Sequence, residues 1–189
     1  FDLGGVIVRI TLEIAKAAQR AGLSIKTDLT FGELDFFLEY QRGSLTDSEY
    51  LFALGEKFSI STEEAKRLHA SIIYEEYPGI ADLIRALNEQ GLKTAILSNT
   101  NSLHWEEMKS GRWPAFDQVQ LPLGSHEVKL EKPDLAFYRS LEARLEVVPG
   151  EIMFFDDHDP NVRGAVAAGW HAHLIDPTGN TASQIQAHL

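Results

Sequence analysis

Cysteine is absent from all 189 residues. Disulfides, thiolate nucleophiles and cysteine-ligated metals are excluded with it. Positive charge is scarce, with 17 lysines and arginines against 28 aspartates and glutamates, a formal net charge of −11. No Lys/Arg-rich run offsets that balance, so nucleic acid and anionic membranes are poor partners. No apolar stretch approaches the roughly 18 residues that a membrane-spanning helix needs. Internal repeats and low-complexity tracts are also missing, which removes solenoid and linker architectures. What is present is a chain with 44 % hydrophobic and 24 % charged residues, able to bury a core. Its length suits one domain with a small insertion, at about 100–200 residues per domain. No signal peptide is visible, so a cytoplasmic location is the expectation. The opening Phe1-Asp2-Leu3-Gly4-Gly5 reads as a strand end. A few residues are therefore expected to precede Phe1, and a leader could be among them.

Two stretches differ in rhythm. From Thr11 to Tyr77 the signals are helical and no strand is convincing. Thr46 with Glu49, and Ser61 with Glu64, fit the reciprocal capping pattern at helix starts. Ala65, Leu68 and Ile72 then recur at helical spacing. From Pro78 onward strands alternate with helices. Lys93–Ser98 and Ile152–Phe155 are short apolar runs that fit buried strands, with Asp117–Leu121 and Trp170–Ile175 as further candidates. Val6–Val8 would belong to the first strand. Alternation of this kind implies a parallel sheet with right-handed crossovers. The expected fold is therefore α/β: a Rossmann-like parallel sheet flanked by helices, residues 1–10 and 78–189, with an inserted helical bundle at 11–77.

Ligands of open parallel sheets sit beyond the carboxyl ends of the strands. Four polar clusters fall at such ends: Asp2, Ser98-Asn99, Lys132-Pro133-Asp134 and Asp156-Asp157. Each has an ordinary local use. Asp before two glycines begins turns, Ser-Asn caps helices, and Lys-Pro opens them. The four together, in this order, bring a carboxylate, a hydroxyl and amide, an ammonium and a carboxylate pair to one rim.

This set resembles the haloacid dehalogenase superfamily of aspartate-nucleophile hydrolases, in its helical-cap subclass. The motifs are Phe1-Asp2-Leu3-Gly4-Gly5-Val6-Ile7, Ile96-Leu97-Ser98-Asn99, Lys132-Pro133-Asp134 and Phe154-Phe155-Asp156-Asp157, and Tyr77-Pro78-Gly79 also looks like that family. The resemblance implies that 11–77 is a cap. It implies a Mg²⁺-dependent phosphomonoesterase working through an aspartyl-phosphate on a small phosphorylated metabolite, a sugar phosphate. Asp2 would be the nucleophile and Lys132 its catalytic partner. Ser98, Asn99 and Lys132 would bind the phosphate. Asp2, Gly4 through its carbonyl, and Asp157 would hold Mg²⁺, with Asp156 in support. Tyr40, Arg42 and Trp105 are candidate substrate contacts, the first two within Tyr40-Gln41-Arg42-Gly43, a stretch that resembles the family's caps. His158 beside the carboxylate pair, and His171 with His173, are weaker candidates for a proton donor and a metal pair.

One departure stands out. Phosphatases of that superfamily usually carry a second aspartate two residues after the nucleophile, and Gly4 stands there. A leaving group that departs without a proton, such as an anomeric oxygen, would suffer least. The same glycine keeps two alternatives open: a metal-independent 2-haloacid dehalogenase, or a catalytically weakened binding protein on the same fold. Oligomeric state and the physiological substrate are not legible.

Overall fold

Helical periodicity and short apolar runs alternate along the chain, and the computed structural model, which describes residues 1–189, sets them out as follows. Strand β1 (Val8–Ile10) leads to helices α1 (Ile14–Arg20), α2 (Asp35–Gln41), α3 (Asp47–Phe58) and α4 (Thr62–Ala70). Strand β2 (Ile73–Glu76) follows, then α5 (Ile80–Glu89), β3 (Ala95–Ser98), α6 (Ser102–Met108), α7 (Pro114–Gln118), β4 (Leu121–Gly124) and α8 (Ser125–Val128). The chain closes with α9 (Leu135–Leu145), β5 (Met153–Asp156), α10 (Asp159–Ala167), β6 (His171–Leu174) and α11 (Thr181–Gln186). The capping boxes at Thr46/Glu49 and Ser61/Glu64 form as the sequence implies.

The sheet is built around the first two residues. Strands β3 and β4 pair in parallel, as do β5 and β6. Phe1 joins the first pair, its nitrogen donating to the Ala95 carbonyl at 2.8 Å and its carbonyl accepting from Leu97 N–H at 2.9 Å. Asp2 N–H donates to the Phe155 carbonyl at 2.8 Å, which joins the second. Asp2 is thereby held level with Ser98 and Asp156, the last residues of β3 and β5. One apolar layer packs Phe137, Tyr138, Leu141 and Trp170 against Leu97, Leu123 and Phe154. The other face carries Ile80, Ile84, Trp105 and Phe116, continuous with the core of the helical segment.

Three expectations are corrected. Val6–Val8 is not the first sheet strand: Ile7 and Val8 N–H both donate to the Leu3 carbonyl, turning the chain out of the sheet. Val8–Ile10 then pairs antiparallel with Ile73–Glu76, a strand the helical reading of 11–77 missed. Asp117–Leu121 is no strand, since Pro114 starts a helix through Gln118 and the strand begins at Leu121.

A polar network runs through the junction of α3, α4 and α6. Tyr50 Oη donates to His69 Nδ1 at 2.8 Å, and His69 Nε2 donates to Asn101 Oδ1 at 3.1 Å. Asn101 Nδ2 donates to His104 Nδ1 at 3.2 Å, and His104 Nε2 donates to the His69 carbonyl at 3.4 Å. The imidazoles stack at 4.0 Å. This pattern needs His104 neutral, because a proton on Nδ1 would face the Asn101 amide N–H. Burial holds His69 well below the usual imidazole range, and it lowers His104 to about 4. A depressed histidine gives its full stability above the unfolded value near 6.5 and loses it as pH falls toward the folded value. Denaturation of the wild type and His104→Phe at pH 7.5 and pH 5.0 should therefore show the stability gap between them shrinking at the lower pH by roughly 2 kcal/mol. A gap independent of pH would contradict a neutral, buried His104.

Candidate active site

Asp2, Lys132 and Asp156 meet at the carboxyl end of the sheet. Lys132 Nζ lies 2.9 Å from Asp2 Oδ1 and 2.6 Å from Asp156 Oδ2. All three side chains are buried. The backbone explains the convergence: Asp156 ends β5, Asp2 is bonded beside it through its N–H to the Phe155 carbonyl, and Lys132 immediately precedes the turn into α9, whose N-cap is Asp134.

Each group is oriented by a second set of contacts. The Asn99 amide grips the backbone of Lys132 from both sides, Nδ2 donating to its carbonyl at 2.9 Å and Oδ1 accepting from its N–H at 2.8 Å. Asp156 accepts from His158 N–H at 2.8 Å and from Asn161 Nδ2 at 3.1 Å on each oxygen. With Lys132 added, its acceptor positions are filled. Asp2 Oδ1 is different. It is buried and close to the ammonium, but no donor is aligned on it.

Asp157 completes the cluster. Ligand oxygens of Asp2, Asp156 and Asp157 all lie within 4.8 Å of one another. Gly5 makes that approach feasible: its φ is +74°, and a Cβ there would sit 2.1 Å from Asp157 Oδ2. Burial, then the charges of Asp2 and Asp156, push Asp157 up to about 7, against the pull of Lys132. Asp2 is raised too, by burial first and by Asp156, with Lys132 opposing. Burial would lower Lys132, but the two carboxylates outweigh it and raise it. Three carboxylates facing one ammonium leave uncompensated negative charge. An all-oxygen donor set with an orphaned buried carboxylate oxygen suits a hard divalent cation such as Mg²⁺.

The structure gives several anticipated residues other work. Asn99 spends its amide oxygen and one amide N–H on the Lys132 backbone. Ser98 is buried at the end of β3 and lines a small cavity with Leu3, Gly4 and Asn99. Tyr40 is buried and bonded to Asp47, Ser102 and Leu103 N–H, with its ring stacked on Tyr50 at 4.2 Å. Arg42 pairs with Glu131, Nε at 2.7 Å and the terminal nitrogen at 2.6 Å from the same oxygen. Gln41 between them donates to the Asn99 carbonyl at 3.3 Å and takes a bond from Ser125 Oγ on its own carbonyl at 2.7 Å. These three residues fasten α2 to the site loops. Trp105 packs in the core against Phe116 and His126. The His158 side chain is exposed, and only its backbone N–H serves the site. His173 stacks on His188 at 3.8 Å, away from any cluster of three ligands. Ser125 and Asn161 carry no local motif and were not anticipated; only their spatial partners reveal them.

A buried carboxylate, an ammonium and a carboxylate pair thus gather at the carboxyl rim of a parallel α/β sheet. A sequence profile of the haloacid dehalogenase-like hydrolases matches residues 1–169, and the chain belongs to that family. Among curated proteins it is 28 % identical over 137 residues to a phosphatase of Mycobacterium tuberculosis, covering 71 % of this chain and 63 % of that one. It is 30 % identical over 142 residues to (S)-2-haloacid dehalogenase 4A of Burkholderia cepacia, covering 72 % and 59 %. The chain thus spans less than two thirds of either relative. Among solved structures, a HAD family enzyme of Bacteroides thetaiotaomicron, crystallised as an Asp-to-Ala mutant with magnesium and inorganic phosphate, superimposes with a TM-score of 0.82 at 21 % identity, covering 97 % of this chain and 96 % of that one.

Lys132→Met strips the shared cation from two buried carboxylates. Urea denaturation without divalent ions should show a loss of about 3–5 kcal/mol, the usual cost of orphaning a buried charge. Adding Asp2→Asn should recover part of it. A single-variant loss under about 1 kcal/mol would show that the ammonium does not hold the cluster together.

Proposed function

We propose that this protein is a Mg²⁺-dependent phosphomonoesterase that acts through an aspartyl-phosphate on a small phosphorylated metabolite, a sugar phosphate in the reading favoured by the sequence. The observation that carries it is the Lys132 ammonium bridging Asp2 and Asp156 with the Asp157 carboxylate alongside. Asp2 is fixed by backbone bonds to β5, so its carboxylate is presented without conformational search. It attacks phosphorus, and one hard displacement becomes two easier ones. Lys132, immobilised through Asn99 and Asp156, neutralises the phosphoryl oxygens. The Ser98 hydroxyl donates to them. Catalysis of phosphoryl transfer is mostly positioning and charge stabilisation of this kind. Asp2, Asp157 and the Gly4 carbonyl would hold Mg²⁺, while Asp156 supports through Lys132 and Asn161. Bound there, the cation would add electrostatic stabilisation of the transferring phosphoryl group.

In this reading 11–77 serves as a cap over 1–10 and 78–189, closing on substrate and excluding water. The bonds from Tyr40, Gln41 and Arg42 to the core support it. A small phosphorylated metabolite is then the partner, and the scarcity of cationic surface gives no reason to add nucleic acid or membrane.

Phosphate release from a panel of sugar, nucleotide and amino-acid phosphates tests the proposal. Activity should require Mg²⁺, vanish with EDTA, and fall at least about 10³-fold in Asp2→Asn, the scale of losing a covalent nucleophile. A second reading draws on the haloacid dehalogenase relatives at 30–33 % identity. Halide departure needs no proton, which Gly4 permits. Chloride release from 2-chloropropionate without added Mg²⁺, and no phosphate from any ester, would favour it.

A further inference from the structure

Ser125 joins the helical segment to the loop that follows β3. It is completely buried at the start of α8. Its Oγ accepts from Thr100 N–H at 2.9 Å. A serine hydroxyl has a single proton to donate. Two backbone carbonyls lie within its reach, that of Gln41 at 2.7 Å and that of Thr100 at 2.9 Å. Thr100 follows Ser98 and Asn99, and the Asn99 amide holds the Lys132 backbone. Gln41 is the last residue of α2, and its side chain also reaches the Asn99 carbonyl. Gly43 completes the junction. Its φ is +67°, and a Cβ on it would sit 2.6 Å from the His126 carbonyl oxygen. The end of α2 and the start of α8 are therefore in contact with no room for a side chain between them.

We infer that Ser125 is a positioning residue that links the docking of α2 to the groups that bind phosphoryl oxygens. It acts on Ser98 through the backbone of residues 98–100, and on Lys132 through Asn99. The inference rests on the phosphomonoesterase reading above, which gives Ser98 and Lys132 that task. The physical basis is the competition for one proton. With α2 in place, the proton serves the Gln41 carbonyl, the shorter contact, and Ser125 holds Thr100 by accepting from its N–H. With α2 displaced, the proton turns to the Thr100 carbonyl, and Ser125 closes on both backbone groups of that residue. The hydroxyl is paired in either arrangement, so the exchange avoids the cost of a buried unsatisfied donor. Residues 98–100 thus have two settings, and α2 decides between them.

Variants of the full chain test this with Mg²⁺ present. Ser125→Ala removes the hydroxyl. Gly43→Ala pushes α2 off α8 and changes no side chain that bonds in the site. Thr94→Val is the control: Thr94 Oγ1 is also a buried hydroxyl, bonded to Asn88 Oδ1 at 2.8 Å and to Gln120 N–H at 3.3 Å, but it lies at the opposite end of β3 from Ser98. With an ester that the native protein hydrolyses, kcat/KM should fall about 10²-fold in Ser125→Ala and in Gly43→Ala, the scale of an ångström's misplacement. Inorganic phosphate should inhibit both at least about 10-fold more weakly, the equivalent of one lost hydrogen bond. The double variant should lose no more than the worse single one, because both break the same link. Thr94→Val should keep the native kinetics whatever its melting temperature. Amide hydrogen exchange adds a readout without turnover: protection at residues 98–101 should drop in Gly43→Ala and hold in Thr94→Val. Should Ser125→Ala not fold, Ser125→Cys takes its place with a weak donor in nearly the same volume. Native kinetics in a folded Ser125 variant, additive losses in the double variant, or unchanged exchange in Gly43→Ala overturns the inference and leaves the phosphatase reading intact. No phosphate from any ester removes both.

Discussion

An ammonium buried between two carboxylates is costly to assemble and hard to do without. Each ion loses its hydration on burial, and only close, well-oriented partners restore it. Lys132 is hydrogen-bonded in that way to Asp156 and lies 2.9 Å from Asp2 Oδ1. Asp156 is saturated by three donors, and the Lys132 backbone is gripped by Asn99. The arrangement therefore leads back to rigid elements, the ends of β3 and β5 and the N-terminus of α9. What it leaves open is Asp2, whose Oδ1 has no aligned donor, and Asp157, held in a partly exposed position by a glycine that gives it room. The site is rigid where positioning matters and electrostatically incomplete where a cation and an anion would enter.

The helical segment is tied to that rim through a few residues. Tyr40, Gln41 and Arg42 are consecutive at the end of α2, and each bonds to a different piece of the core: Ser102 and Leu103, the Asn99 carbonyl, and Glu131. Glu131 and Asn99 flank or hold Lys132. The end of α2 is thus bonded to the loops that place the ammonium. The Tyr50–His69–Asn101–His104 network lies behind the same junction. A neutral histidine pair gives this interface matched hydrogen bonds without placing another buried charge near the cluster.

Legibility in the sequence followed the range of the interaction. The parallel sheet, the capped helices and the four polar clusters were readable because each depends on local pattern: apolar runs, Ser/Thr-x-x-Glu boxes, polar residues at strand ends. The pairing of Val8–Ile10 with Ile73–Glu76 was not. It joins segments more than sixty residues apart, and a four-residue strand after a helix has little period of its own. The protein contacts of Tyr40, Arg42 and Trp105 were unreadable for a related reason. An aromatic or cationic residue on a helix announces that it meets something, but not whether that is ligand or protein. Asn99 shows the same ambiguity at closer range: its position at a strand end was read correctly, while its side chain turns to the Lys132 backbone. Ser125 acts through partners far along the chain and leaves no local trace, while Asn161 acts on Asp156, five residues before it.

The central claim is that Asp2 carries the phosphoryl group covalently during turnover. Acid-quenching the protein with a phosphate ester and Mg²⁺, followed by peptide mass mapping, tests it most directly. The account predicts one phosphoryl group on the peptide that contains Asp2, lost on treatment with hydroxylamine and absent from Asp2→Asn. Phosphate release with no adduct on that peptide, or an adduct on another residue, would contradict it.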